Sequence, residues 1–365
     1  MIRSRASKIL TAKRDGLRCS RLFFGFVLLV LGGIFTPAEA QAASGYSYRV
    51  EVDFVDAEVS GGSHTNFPVL ISSTLPDLRT VGNGGKVENA NGYDIIFTDD
   101  EAGTNQLAHE IESYVSSTGE IIFWVRVESL AATTKIYMFY GNSGISTFQG
   151  DVTSSGVTGV WDNNYLGVWH LTEDGDGTTG EFKDASGNTN HATGGSGAFP
   201  SQNASGGIHN SQTFDGTNDH IDGPAINSGH TTISGWAKTS SSNKQDTVTN
   251  AGDSATLRLV EGADAGAEPA FTVKVGGSWY TSASGAGTKY DGSWHYLVGT
   301  YDGETATIYF DGVAGTPDTT PSGNLATQGA IHIGIHANGT SNSANGDIDE
   351  VRMSDTVRTN SADWI

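Results

Sequence analysis

The sequence predicts an all-β protein, with two antiparallel β-sandwich modules behind an export leader. Three observations predict it. Gly is abundant, at 49 of 365 residues, and charged residues make up only 17%, a balance that suits short strands and turns better than helices. Apolar and polar residues alternate over short runs, the period-two mark of half-buried strands. Asn-Gly and Asp-Gly pairs punctuate those runs and supply the backbone freedom of tight turns. The patterned runs also separate this chain from the disorder that Gly/Ser/Thr-rich composition otherwise suggests.

Residues 1–43 read as a signal peptide. A basic stretch ends at Arg21, an apolar run follows from Leu22 to Phe35, and Pro37-Ala38-Glu39-Ala40 and Gln41-Ala42-Ala43 offer small-residue cleavage sites. Cleavage is expected between about Ala40 and Ser44, because the apolar run is too short to span a bilayer comfortably. An uncleaved anchor is the alternative. Cys19, the single cysteine, precedes the apolar run, so a cleaved chain carries no disulfide, thiolate ligand or thiol nucleophile. Of 20 basic and 41 acidic residues, seven and two lie in residues 1–40, which leaves a formal charge of −26 on the rest. Such an acidic body disfavours nucleic acid and anionic lipid as partners. The compartment expected is periplasmic, cell-surface or extracellular.

The first module covers residues 44–142. Tyr46, Tyr48, Val50, Val52 and Phe54 share one side of a strand and Arg49, Glu51 and Asp53 the other. Further strands are expected at Phe67–Ile71, Tyr93–Thr98, Ile121–Val127 and Lys135–Tyr140, with turns at Asn91-Gly92 and Thr118-Gly119. His109, Glu110 and Glu112 suggest an acid/base or metal cluster. On a regular strand Glu110 and Glu112 share a face and His109 points away, so a structural polar pair is expected there.

Residues 143–159 are rich in Gly, Ser and Thr and read as a linker between two independently folding units. The second module covers residues 160–365. A strand starts at Leu166–Leu171 around Trp169. Asp302-Gly303 separates two β-rich runs, and after it Ala306, Ile308 and Phe310 line one side of a strand. Hairpins that must bury one face give a jelly roll or sandwich.

Both modules resemble known families. Tyr48-Arg49, Thr65-Asn66-Phe67-Pro68-Val69-Leu70, Tyr93 to Asp99, His109 to Tyr114, Trp124-Val125 and Ile136 to Asn142 follow the order of a bacterial and archaeal domain family of unknown function. That family often precedes lectin-like domains and accompanies proton-channel subunits of biopolymer transport. Gly167-Val-Trp-His-Leu171, Asp184-Ala-Ser-Gly-Asn188, Phe214-Asp-Gly216 with Asp219, Thr232-Ile-Ser-Gly-Trp236, Trp294-His295, Thr300-Tyr-Asp-Gly303, Phe310-Asp-Gly312 and Asp347-Ile-Asp-Glu-Val-Arg352 resemble the laminin-G-like, concanavalin A-like lectin/glucanase superfamily. This implies a concanavalin A-like jelly roll that recognises carbohydrate or a surface protein without chemistry. The alternative is a structural or accessory component of an envelope transport apparatus or surface assembly. Such a fold also hosts glycosidases and passive spacers.

The resemblance implies a structural Ca²⁺ in loops holding Asp184, Asn188, Asp215 and Asp219, closed by Asp347 and Asp349. Capped turns are the competing reading, since Asp and Asn bond their own backbone. For sugar, Trp236 shares its strand face with Ser234 and Lys238, and Trp279 and Tyr280 follow Gly276-Gly277, so these three are the candidate ligand platforms. No catalytic residue is expected. On a regular strand Asp347 and Asp349 share a face while Glu350 points to the opposite one, which breaks the acid triplet of glucan hydrolases on this fold. His332 and His336 on one strand lie roughly 13 Å apart, too far for one metal.

Overall fold

The computed structural model describes residues 29–30, 38–39, 45–54, 63–151, 159–250, 254–261, 268–326 and 329–358. The expected cleavage positions lie outside these residues. The N-terminal sandwich contains strands β1 (Leu29–Val30), β2 (Ala38–Glu39), β3 (Tyr48–Asp53), β4 (His64–Thr74), β5 (Ile96–Thr98), β6 (His109–Val115), β7 (Glu120–Leu130) and β8 (Lys135–Tyr140). The C-terminal sandwich contains β9 (Tyr165–Trp169), β10 (Thr193–Gly194), β11 (Ser201–Asn203), β12 (Ser211–Asp215), β13 (Ile221–Ala225), β14 (Thr231–Lys238), β15 (Val248–Asn250), β16 (Ala255–Arg258), β17 (Ala270–Val275) and β18 (Ser278–Ala283). It is completed by β19 (His295–Tyr301), β20 (Ala306–Phe310), β21 (Val313–Ala314), β22 (Ala330–Ile333) and β23 (Asn345–Ser354). Two short 3-10 turns, Pro76–Leu78 and Val81–Asn83, are the only helical elements among the described residues.

The first sandwich packs a β1-β4-β7-β6 sheet on a β2-β3-β8-β5 sheet. Its alternation is the one the sequence predicts: Val50 and Val52 enter the core with Val69, Ile71, Phe123, Val125 and Met138. On the solvent side, Glu51 and Asp53 both pair with Lys135 of the neighbouring strand. The expected strand at Tyr93–Thr98 is cut to its last three residues by Asp94. That buried carboxylate accepts the N–H groups of Glu88, Asn89, Gly141 and Asn142 at 2.8–3.2 Å, so the chain there serves as a loop anchor, not a ladder.

The second sandwich packs a seven-stranded sheet, β10-β13-β22-β15-β16-β17-β18, on an eight-stranded one. The latter runs β11-β12-β23-β14-β19-β20-β21, with β9 paired to Val351–Ser354 on the same edge of β23 as β12. Trp169, Phe214, Phe271, Leu297, Ile308, Ile331 and Ile333 fill the core between them. Ile331, Ile333 and Ile335 are all buried. His332 bonds Asp222 at 2.7 Å on the outer side instead of meeting His336. The Asp302-Gly303 hairpin forms with a four-residue loop. Asp302 caps it by accepting from Glu304 and Thr305 N–H groups, and Gly303 alone takes positive φ, at 99°.

The two sandwiches do not stand apart. Ile121, Phe123 and Val125 of β7 enter their own core. Leu70, Ile122 and Trp124 point the opposite way, into a cluster with Val160, Trp161, Tyr165 and Val168. Over Ile121–Val125, β7 is therefore buried on both faces.

Candidate functional site

Five charged side chains converge on this seam. Glu110 and Glu112 come from β6, His170 follows β9, and Glu350 and Arg352 come from β23. His170 Nδ1 lies 2.7 Å from Glu350 Oε1 and 3.8 Å from Glu112 Oε2, while its Nε2 lies 3.2 Å from Glu110 Oε1. Arg352 Nη2 donates to Glu350 Oε2 at 2.6 Å. Its guanidinium sits 4.5 Å from the ring centre of Trp124 and 4.7 Å from that of Trp161. The same two indoles donate to the first sandwich's acids: Trp124 Nε1 to Glu112 at 2.8 Å and Trp161 Nε1 to Glu110 at 2.9 Å.

Two β-bulges aim the acids. In β6, Ile111 pairs with Phe123 and Ser113 with Ile122, which leaves Glu112 as the extra residue. In β23, Asp349 pairs with Trp236 and Arg352 with Ser234, so Glu350 and Val351 share the space opposite Gly235. Glu350 takes φ +51°, a left-handed conformation that costs a non-Gly residue on the order of 1–3 kcal/mol and clusters at functional sites. This corrects the regular-strand expectation for the Asp347-Ile-Asp-Glu segment. The bulge brings Glu350 to the outer side beside Asp349 instead of the opposite face.

The seam sorts its protons. Burial opposes charge on His170, but Glu350 and Glu110 outweigh it and raise His170 well above the ordinary imidazole range. Burial also works against ionised Glu350, but His170 and Arg352 prevail and hold it low. For Glu112, burial and then the Glu350 charge push the carboxyl up to about 8. The same two causes raise Asp349 well above the carboxylate range.

Beyond the seam, the outer face of the eight-stranded sheet carries an aromatic strip. Trp236 pairs with Tyr296 across β14 and β19, ring centres 5.2 Å apart, and Val298 pairs with Tyr309 across β19 and β20. Trp236, Tyr296 and Val298 are buried, whereas Trp294 and Tyr309 pack against them half-buried. Lys238 Nζ lies 3.0 Å from Asp347 Oδ2 and 5.5 Å from the centre of the Trp294 ring. Thr213 donates to the other Asp347 oxygen at 2.5 Å. The same face holds a small recess lined by Tyr165, Ser234, Tyr296, Arg352 and Arg358.

The residues expected to bind ligands scatter. Trp236 lies on the outer face, as expected, but is only 7% exposed, covered by Tyr296 and by chain at Gly207, where a Cβ would approach the indole to 3.1 Å. The open ring of the strip is Trp294. Trp279 is 47% exposed with Lys274 Nζ 4.8 Å from its ring centre, while Tyr280 packs half-buried on the core. Asp184 accepts four donors, from Val168, Asn190 and Ser186 N–H groups and the Ser186 hydroxyl. Asn188 donates to Tyr165 O, Asp219 accepts from Asp215 N–H, and Asp215 accepts from Thr217 N–H. Asp349 accepts from Ile208 N–H at 3.0 Å. These six residues do not converge on one point. Among the described residues, the one group of three or more His, Cys, Asp or Glu donors within 4.8 Å of one another is Glu112, His170 and Glu350.

Residues 214–362 match the concanavalin A-like lectin/glucanases superfamily. Residues 91–163 match the Domain of unknown function (DUF2341), a span that runs past the expected linker and includes Trp161. No curated protein matches this chain. Among solved structures, domain 4 of AbnA, a GH43 extracellular arabinanase from Geobacillus stearothermophilus in complex with arabinotriose, is 18% identical with a TM-score of 0.45, covering 55% of this chain and 97% of that one. The binding domain of Paraclostridial Mosquitocidal Protein 1 is 15% identical with a TM-score of 0.41, covering 55% of this chain and 51% of that one. This chain thus spans about half the length of that toxin domain. The concanavalin A-like sandwich presents its sheet to the first sandwich at the β9-β23 end and to solvent at Trp294 and Tyr309.

Proposed function

We propose that this is an exported, non-catalytic binding protein that recognises carbohydrate on the open outer face of its concanavalin A-like sandwich. The observation that carries this reading is the half-buried Trp294–Tyr309 strip, held from below by Trp236 and Tyr296 and flanked by the Lys238–Asp347 pair. A rigid aromatic ring accepts the apolar face of a pyranose, and fixed polar groups beside it take hydroxyls.

The acids argue against hydrolysis. Glycosidases hold two carboxyl groups about 5–9.5 Å apart with the scissile bond between them. Here Asp349 and Glu350 are 1% and 0% exposed, Asp349 under the chain at Gly206–Ile208 and Glu350 against His170, and Asp347 is already engaged by Lys238 and Thr213. A glycan array probed with the full chain should give saturable binding, lost in Trp294→Ala and weakened in Tyr309→Ala. Binding that survives both changes would move the site off this strip, to Trp279 first, and an array with no saturable binding would remove it. Reducing-sugar release abolished by Asp347→Asn would replace binding with catalysis.

A further inference from the structure

The Glu112, His170 and Glu350 donors have the composition and spacing of a metal site. Tetrahedral ligands about 2.1 Å from one ion lie roughly 3.4 Å apart, and His170 Nδ1 lies 2.7 Å from Glu350 Oε1 and 3.8 Å from Glu112 Oε2. Glu112 Oε1 is buried without a hydrogen-bond partner on a side chain only 2% exposed, a polar atom whose desolvation nothing in the chain offsets. The surrounding groups do what outer-shell partners do around a metal. Glu110 lies 3.2 Å from His170 Nε2 and would hold the proton there, while an ion would displace the proton that Nδ1 now shares with Glu350. Arg352 bonds the far oxygen of Glu350, and Trp124 bonds the Glu112 oxygen nearest His170.

We propose that the seam is a divalent transition-metal site, with Glu112 from the first sandwich and His170 and Glu350 from the second as its ligands. One imidazole and two carboxylates suit Zn²⁺ better than Ca²⁺, which takes oxygen cages of six to eight. With His170 neutral, Glu110, Glu112 and Glu350 set three carboxylates against the one positive charge of Arg352, an excess that one divalent ion neutralises. Binding releases protons from the ligands as the ion replaces them. Because the ligands come from both sandwiches, the ion clamps them together. Because the three side chains are 0–9% exposed, it enters while the seam is open, during folding.

The test is to refold the full chain with Zn²⁺, dialyse, and count metal by mass spectrometry. One zinc per chain should be retained, with a raised melting temperature that Ca²⁺ does not reproduce. Glu112→Gln, which keeps the shape and the Trp124 bond acceptor, should lose the zinc. Glu110→Gln should weaken it by about 10–100-fold, and Asp215→Asn should retain it. Co²⁺ in place of Zn²⁺ should show the intense visible bands of a four-coordinate N/O site in the unaltered chain, a readout that requires no variant to fold. No retained metal, zinc held equally by Glu112→Gln, or a Co²⁺ spectrum like that of the aqueous ion each overturns the proposal. Glycan binding is read separately and can fail without touching it.

Discussion

Arg352 is where the seam is most exposed to a single change. Arg352→Met keeps the length and the apolar stem but removes one of the two cations that hold Glu350 ionised, the one packed on the rings of Trp124 and Trp161. Leaving one member of a buried ion pair without its partner costs about 3–5 kcal/mol. The cation–π contacts, about 1–2 kcal/mol when desolvated, belong to the same charge, so they fall inside that figure and do not add to it. Urea unfolding of the full chain in chelator, followed by tryptophan fluorescence, should show a loss of about 3–5 kcal/mol. Glu350→Gln in the same chain should return most of it, because removing both partners leaves no stranded charge. A single variant that loses less than about 1 kcal/mol, or a double variant no better than the single, would show that the pair does not bear the charge balance assigned to it.

Three further outcomes follow from other parts of the fold. Burial pushes His109 down to about 4, so between pH 4 and about 6.5 the unfolded chain binds a proton that the folded one refuses; stability is full above that window and falls through it by up to about 3 kcal/mol. His109→Gln should flatten that acid limb in pH-dependent denaturation, and an unchanged slope would assign it to other groups. Gly303→Val puts a branched side chain at φ +99°, with its Cβ 3.0 Å from His230 Nε2, and should cost about 1–3 kcal/mol; an unchanged melting temperature would contradict the turn geometry. Asp184→Ala strands three N–H groups and should cost about 1–3 kcal/mol whether or not chelator is present. A cost that vanishes in chelator would assign Asp184 to a calcium site.

The strand set was legible because alternation and turn residues are local. Val50/Val52 and Ile331/Ile333/Ile335 lie where period two puts them. The double-sided burial of β7 was also written in the chain, since Ile121 to Val125 is an unbroken apolar run and half-buried strands alternate. The candidate sites were not legible in the same way. Period two assigned Trp236 to the correct face but says nothing about what covers it, and Tyr296 and Gly207 arrive from other parts of the chain. It failed outright at Glu350, because a bulge breaks the period it relies on. His170 and Glu350 are 180 residues apart in sequence, so no local signal joins them.

The bulges have a consequence for insertions and deletions. Losing one residue from a strand ordinarily turns every following side chain to the wrong face. At Glu112 and Glu350 the opposite holds. Without Glu350, Asp349, Val351 and Arg352 would face Trp236, Gly235 and Ser234 in regular succession, outward, inward, outward; without Glu112, Glu110, Ile111 and Ser113 would do the same against Trp124, Phe123 and Ile122. Each acid is a supernumerary residue in a ladder that is complete without it. Shortening either strand by one position would leave the sheets in register and empty only the seam between them.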